Sequence, residues 1–284
     1  MRTKITRTID NPTLFRQQLL QWSQQFREVA FLDSNDYHQK QSSFDCVLAV
    51  DAFTSIKTDY NNAFEDLKQY QQQTKDWLFG YLSYDLKNDT EELKSNNFDG
   101  LHFPDLFFFQ PKKLFLLKDN QLEIQYLRMV DDEVETDFEA ILENKLITNH
   151  YSQIIIEQRI SKDSYLSKVS KMLSHIHRGD IYEANFCMEF YAENATIEPS
   201  DIFQKLNAIS KPPFATFFKN DSEYLLCASP ERYLKKEADK VISQPIKGTA
   251  KRFSDETLDE KFQNSIRAKP KRACRKHHDG RFGS

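Results

Sequence analysis

The sequence predicts an α+β fold, and three observations predict it. Short apolar runs recur between turn-forming residues, as strands in antiparallel connection do. The helical stretches do not alternate one for one with strands, as a doubly wound parallel sheet would require. A chain of 284 residues with 23 Phe, 12 Tyr and only 6 Gly also has the length and composition to bury a large aromatic core.

Residues 12–28 carry Leu14, Leu19, Leu20, Trp22 and Phe26 at helical spacing, with Asn11 placed to cap the start. Strands are expected over 29–33 and 46–51, then a helix over 63–74. Residues 77–83 read as a strand in which Gly80 admits a second backbone. Residues 103–109 and 113–117 read as two strands with Pro111 between them, and Asn120 and Gln121 precede a strand over 122–128. The acidic stretch 131–139 leads into a helix, and the polar crossing at 148–153 marks a boundary near residue 150.

Beyond that boundary, 154–160 reads as a strand and 161–178 as a helix. There Tyr165, Val169, Met172, Leu173 and Ile176 recur on one face, Ser161 or Asp163 caps the start, and Gly179 ends it. A strand is expected to run through Phe190, a helix over 202–209, and strands over 214–218 and 223–228. A hairpin pairs 232–236 with 240–244.

Composition narrows the function. The last 18 residues hold seven basic side chains against one acid, and the remaining 266 hold 32 Lys and Arg against 42 Asp and Glu. A body this acidic argues against a nucleic-acid binder, which needs an organised basic surface. Residues 1–12 have no apolar run behind their charges, and no segment is long enough to span a bilayer, so a cytoplasmic protein without a membrane role is expected. Cys46, Cys187, Cys227 and Cys274 show neither paired nor metal-ligand spacing, and no metal site is predicted from them.

The chemistry concentrates in two stretches. Pro245-Ile246-Lys247-Gly248-Thr249 begins sixteen positions after Ser229-Pro230-Glu231. A hairpin turning near Glu237 and Ala238 sets Glu231 opposite about Gln244, so Lys247 lies on the order of 10 Å farther along the strand direction. To act as a nucleophile Lys247 must lose its proton near neutral pH, roughly 4 kcal/mol of differential stabilisation. Gly248 and Thr249 would let backbone and a hydroxyl approach an anionic substrate. Lysine at a sheet edge also discourages edge pairing, which is the alternative role for Lys247.

Gly179-Asp180-Ile181-Tyr182-Glu183-Ala184-Asn185, Ser229-Pro230-Glu231-Arg232-Tyr233 and Pro245-Ile246-Lys247-Gly248-Thr249 together resemble the chorismate-utilising enzymes. That family includes anthranilate, aminodeoxychorismate, isochorismate and salicylate synthases. Residues 77–85, WLFGYLSYD, look like its amino-terminal region. The resemblance covers nearly all of residues 1–266 and implies a layered α/β/β/α sandwich of two antiparallel sheets. It divides the chain into an amino-terminal region, 1–150, and part of a chorismate-binding domain, 151–266.

Lysine at position 247 resembles the aminodeoxychorismate branch. The resemblance implies amination of chorismate to 4-amino-4-deoxychorismate, with Lys247 as nucleophile, Glu231 as general acid/base, and ammonia from a glutamine amidotransferase partner. Anthranilate synthesis is the alternative within the family, and a non-catalytic fragment that docks the amidotransferase is one outside it. Phe31-Leu32-Asp33-Ser34 resembles the family's tryptophan-pocket segment, with Pro213 on the far wall, although Asp33 stands where the family usually has Glu. Tyr182 and Asn185 resemble positions of structural support.

After Ile266 the resemblance ends. The family's glutamates for Mg²⁺ and its carboxylate-gripping residues are expected in a part this sequence lacks. One set of codons that encodes Arg275–Gly283, read one base later, spells ENIMMVDLV, close to a family motif. Residues 267–284 are therefore expected to be an out-of-frame tail behind a frameshift near residue 267, and no amination is expected from the 284-residue chain alone.

Overall fold

The structure is a computed structural model that describes residues 1–37, 43–145, 154–244, 253 and 255–267. It is mixed α+β and divides into two compact units, Met1–Leu146 with Pro199–Ser284, and Ile147–Glu198.

The first unit is built on an eight-stranded, wholly antiparallel sheet. Its strands in chain order are β1 (Arg2–Thr8), β2 (Glu28–Asp33), β3 (Cys46–Thr58), β4 (Phe79–Leu82), β5 (Leu106–Lys118), β6 (Gln121–Leu127), and, from the second stretch of chain, β9 (Phe214–Asn220) and β10 (Glu223–Ser229). Their spatial order is β1-β6-β5-β3-β2-β9-β10, with β4 on the flank of β5. Because β9 pairs with β2, the chain after Pro199 returns to the first unit. The helices of this unit are α1 (Pro12–Ser23), α2 (Ala63–Thr74), the single turn α3 (Lys87–Thr90), α4 (Val134–Glu143), α6 (Pro199–Ser210) and α7 (Glu256–Arg267). A separate hairpin joins β11 (Arg232–Glu237) to β12 (Lys240–Gln244). Of the two large sheets that the family resemblance implies, the described residues form one.

Alternation along each strand gives the sheet two apolar faces. Val29, Phe31, Leu48, Val50, Phe115 and Leu117 share one core with Phe15, Leu19, Leu20 and Trp22 of α1, Val134 and Ile141 of α4, and Phe203 of α6. Ala30, Val47, Ala49, Leu114, Leu116 and Phe218, offset by one residue, share a second core with Phe79, Phe107 and Phe109. Two buried faces explain why these strands read as continuous apolar runs.

Local signals read from sequence recur in detail. Asn11 Oδ1 accepts from the Leu14 amide at 3.1 Å, and Pro12 opens α1. A Cβ on Gly80 would lie 1.9 Å from the Phe107 carbonyl oxygen, so only glycine lets β4 approach β5.

Three expectations change. Strand β1 was not foreseen, because its residues RTKITRT hold one large apolar side chain and its charges suit an edge. The expected break at Pro111 is absent. β5 runs through it, with Pro111 opposite Ala52 at a register shift in β3, the setting where a strand tolerates proline. α1 ends at Ser23, five residues short of the expected helix.

The second unit contains β7 (Glu157–Gln158), α5 (Lys162–Arg178) and β8 (Phe190–Tyr191), with β7 and β8 antiparallel. Ser161 Oγ accepts from the Ser164 amide, and Gly179 closes α5 at φ 84°. The strands expected over 154–160 and through Phe190 shrink to two residues each, tied by Arg159 to Glu189 at 2.9 Å. No residue of α5 is fully buried. Among the described residues no helix is long and apolar enough to cross a membrane.

Candidate functional site

At one end of β2 the structure brings Asp33, Ser34 and Pro213 to a single cavity of about 540 Å³. Its apolar lining includes Leu32, Phe44, Val47, Trp77 and Phe214, and its polar side is formed by the β11–β12 hairpin with Arg232, Lys235 and Lys236. Phe44 and Trp77 meet edge to face at 6.2 Å, and Trp77 stacks on Phe79.

The end of β2 is held by a polar latch. Asn35 and Asp36 take left-handed backbone conformations at φ 50° and 59°, which turns the chain sharply after Ser34. The Asp33 carboxylate accepts from the Asn35 amide at 2.9 Å and from Arg16 Nη1 at 3.0 Å. Asn35 Nδ2 in turn donates to Asn207 Oδ1 and to the Pro212 carbonyl, both at 2.7 Å. The segment Lys211-Pro212-Pro213 after α6 is thereby tied to the strand across the cavity. Burial alone would push the Arg16 guanidinium down, but the Asp33 and Asp36 carboxylates outweigh it and hold it above its ordinary value. A smaller cavity of about 290 Å³ lies between α1 and α6, on the Arg16 side of Asp33.

Ser34 is held differently. Its amide donates to the Asp45 carbonyl at 2.8 Å, while its hydroxyl oxygen is buried without a hydrogen-bond partner among the described residues. Arg232 Nε is likewise buried without one, and its guanidinium sits 5.0 Å from the Phe214 ring centroid. Desolvation pulls the Arg232 guanidinium below its ordinary value.

Glu231 occupies an exposed corner between β10 and β11. Ser229 Oγ donates to the Glu231 carbonyl at 3.1 Å and accepts from the Glu231 amide at 3.2 Å, which fixes the corner. The hairpin turn falls at Ala238 and Asp239, and Gln244 stands opposite Arg232, one residue from the expected pairing with Glu231. Lys247, Gly248 and Thr249 lie outside the described residues, as does the tail from residue 268. Tyr182 and Asn185 belong to the irregular, exposed stretch after α5 in the second unit.

Sequence reading quoted Arg232 and Trp77 within motifs without assigning either a role, and it passed over Asn35 and Asn207. The Asn35–Asn207 bond spans 172 positions and leaves no local signal. Among the described residues no group of three or more His, Cys, Asp or Glu could hold a metal ion, so the Mg²⁺ implied by the resemblance finds no fitting ligand set there.

Comparison with known proteins bears on the family and the fold. The model of a family described as chorismate binding enzyme matches residues 20–273, seven residues past the point where the sequence motifs end. An anthranilate synthase component I-like protein of Synechocystis sp. is 27% identical over 67% of this chain and 40% of its own length. Aminodeoxychorismate synthase component 1 of Bacillus subtilis is 21% identical over 75% of this chain and 47% of its own. The chain thus spans less than half the length of these curated relatives. The crystal structure of anthranilate synthase component I from Streptococcus pneumoniae superposes with a TM-score of 0.64 at 15% identity, covering 84% of this chain and 60% of that one.

Proposed function

We propose a function from one premise: the chain belongs to the chorismate binding enzyme family, whose model matches residues 20–273. The proposed reaction is the amination of chorismate to 4-amino-4-deoxychorismate, in a cytoplasmic setting. The Lys247 amine attacks C2, both ring double bonds shift by one bond toward C4, and the C4 hydroxyl departs as water, its proton supplied by Glu231. Ammonia from a glutamine amidotransferase partner then bonds to C4 and expels the lysine amine, and Glu231 takes up the proton that ammonia sheds. Gly248 and Thr249 receive the anionic substrate. No step is assigned to Mg²⁺.

One observation carries this reading. β12 ends at Gln244 opposite Arg232, the neighbour of Glu231, and Lys247 follows three positions later in the sequence. Carried one step further, that register would set Glu231 opposite residue 245 and Lys247 two residues, about 7 Å, beyond it, a gap that two long side chains and a bound substrate would bridge. The cavity at Asp33, Ser34 and Pro213 is the proposed counterpart of a tryptophan-like pocket.

The test is covalent capture. Chorismate incubated with the protein is expected to leave an adduct on Lys247, less one water, found by peptide mass spectrometry and lost in Lys247→Ala. With ammonium added, the 284-residue chain alone is expected to release no 4-amino-4-deoxychorismate, and a longer protein read in the alternate frame after residue 267 is expected to form it. Anthranilate formed without a Lys247 adduct would overturn this reading in favour of anthranilate synthesis, which the identity to relatives of that name supports.

A further inference from the structure

The cavity beside Ser34 has an uneven charge account. Each carboxylate on its wall is already matched by a cation of the protein: Asp33 by Arg16 at 3.0 Å, Asp45 by Lys118 at 2.8 Å, and Glu237 by Lys235 at 2.5 Å. Asp45 also accepts from the Asp119 amide at 2.6 Å, which occupies its second oxygen. None of the three is left to receive a ligand's ammonium group.

Arg232 is in the opposite position. Among the described residues its guanidinium makes no ion pair or hydrogen bond within bonding distance, and its Nε is shut off from water. Among the described residues it lies over the face of Phe214, and Glu237, paired with Lys235, attracts it only from beyond ion-pair distance. A guanidinium so placed forgoes the charge-assisted hydrogen bonds it forms with a carboxylate. The Ser34 hydroxyl, buried and unpartnered on the same cavity, is a second orphan. Burying such groups unpaired costs stability, and a bound acceptor removes that cost.

We infer that this cavity takes an aromatic or aliphatic carboxylate, held at its carboxylate by Arg232 and Ser34, and that the ligand's affinity does not depend on an ammonium group. Asp33 is then a positioning residue, which sets the far wall through Asn35 and Pro212 and does not touch the ligand. The apolar body of the ligand lies against Trp77, Phe44 and Phe214. The inference rests on reading this cavity as a ligand site, but it departs from a pocket shaped for the zwitterion of an amino acid.

The experiment titrates the full 284-residue chain by calorimetry with three indoles: L-tryptophan, indole-3-propionate and tryptamine. Indole-3-propionate is expected to bind at least as tightly as L-tryptophan, and tryptamine at least tenfold more weakly. Arg232→Met is expected to abolish that preference and Arg232→Lys to keep part of it, with circular dichroism checking that both remain folded. Ser34→Ala is expected to weaken indole-3-propionate and leave tryptamine unchanged. Tryptamine binding as tightly as L-tryptophan, with indole-3-propionate weaker, would overturn the inference while leaving the cavity a ligand site. An undiminished preference in folded Arg232→Met would overturn the assignment of Arg232. Binding of none of the three would overturn the ligand site itself, and this inference with it. Should Arg232→Met unfold, the ligand series on the unaltered protein still decides.

Discussion

The guanidinium of Arg16 and the carboxylate of Asp33 form an ion pair of 3.0 Å in which both side chains are about nine-tenths buried. It joins α1 to the end of β2, and Asp36 and Asn207 complete the network. Removing one partner of such a pair strands the other charge away from water. Arg16→Ala is therefore expected to lower stability by about 3 kcal/mol, while the combined Arg16→Met and Asp33→Leu exchange loses far less. Urea unfolding of the single and double variants measures the difference, and equal losses in both would refute the account.

Gly80 supports a second prediction. The added methyl of Gly80→Ala would overlap the Phe107 carbonyl oxygen and the Phe108 backbone. Neither can retreat, since β5 is paired with β3 on its other edge. A loss on the order of 3 kcal/mol is expected. Amides of β4 should exchange with solvent faster than in the parent protein, and unchanged protection of Phe79–Leu82 would count against it.

Acid should weaken the fold through Asp45 and Asp76. Burial pushes both carboxyls up, but Lys118 and the Asp119 amide hold Asp45 below its ordinary value, and Arg2 and Gln110 do the same for Asp76. A carboxylate with a depressed folded-state pKa contributes stability above its unfolded value of about 3.9, and that contribution is lost as pH falls through the folded value. Unfolding midpoints should thus decline below about pH 4, and Asp76→Asn should flatten the decline. A slope identical to the parent's would sink the assignment to Asp76.

Helix α2 is capped from outside its own segment. Asn62 precedes it in a left-handed conformation and makes no side-chain cap. Asp89, at the end of the short α3 turn, accepts instead from the Asn62 and Phe64 amides at 2.8 and 3.2 Å. Asp89→Ala is expected to cost about 1 kcal/mol and to fray the first turn of α2, which chemical shifts of Ala63–Asp66 would report. Asn62→Gly should be nearly neutral, because glycine suits that backbone.

What the sequence by itself determined is whatever rests on neighbours in the chain. The Asn11 cap, the left-handed Gly179, the span of α2 and the β11–β12 hairpin all follow from residues within a turn of one another. So does the α+β class, because period and punctuation are local properties. Asp33, Ser34 and Pro213 were paired as one site through motif resemblance, a signal that carries no distances.

The tertiary structure decided the rest. β1 is a strand because β6 supplies its hydrogen bonds, and Pro111 sits inside β5 because a register shift in β3 accommodates it. The charge state of the cavity also belongs to the folded chain alone. Asp33 has the same formal charge in the sequence as any other aspartate, and only the fold sets Arg16 against it while burying Arg232 Nε without a hydrogen-bond partner among the described residues. Pairing of charges across distant segments is fixed by packing, and the order of residues along the chain does not encode it locally.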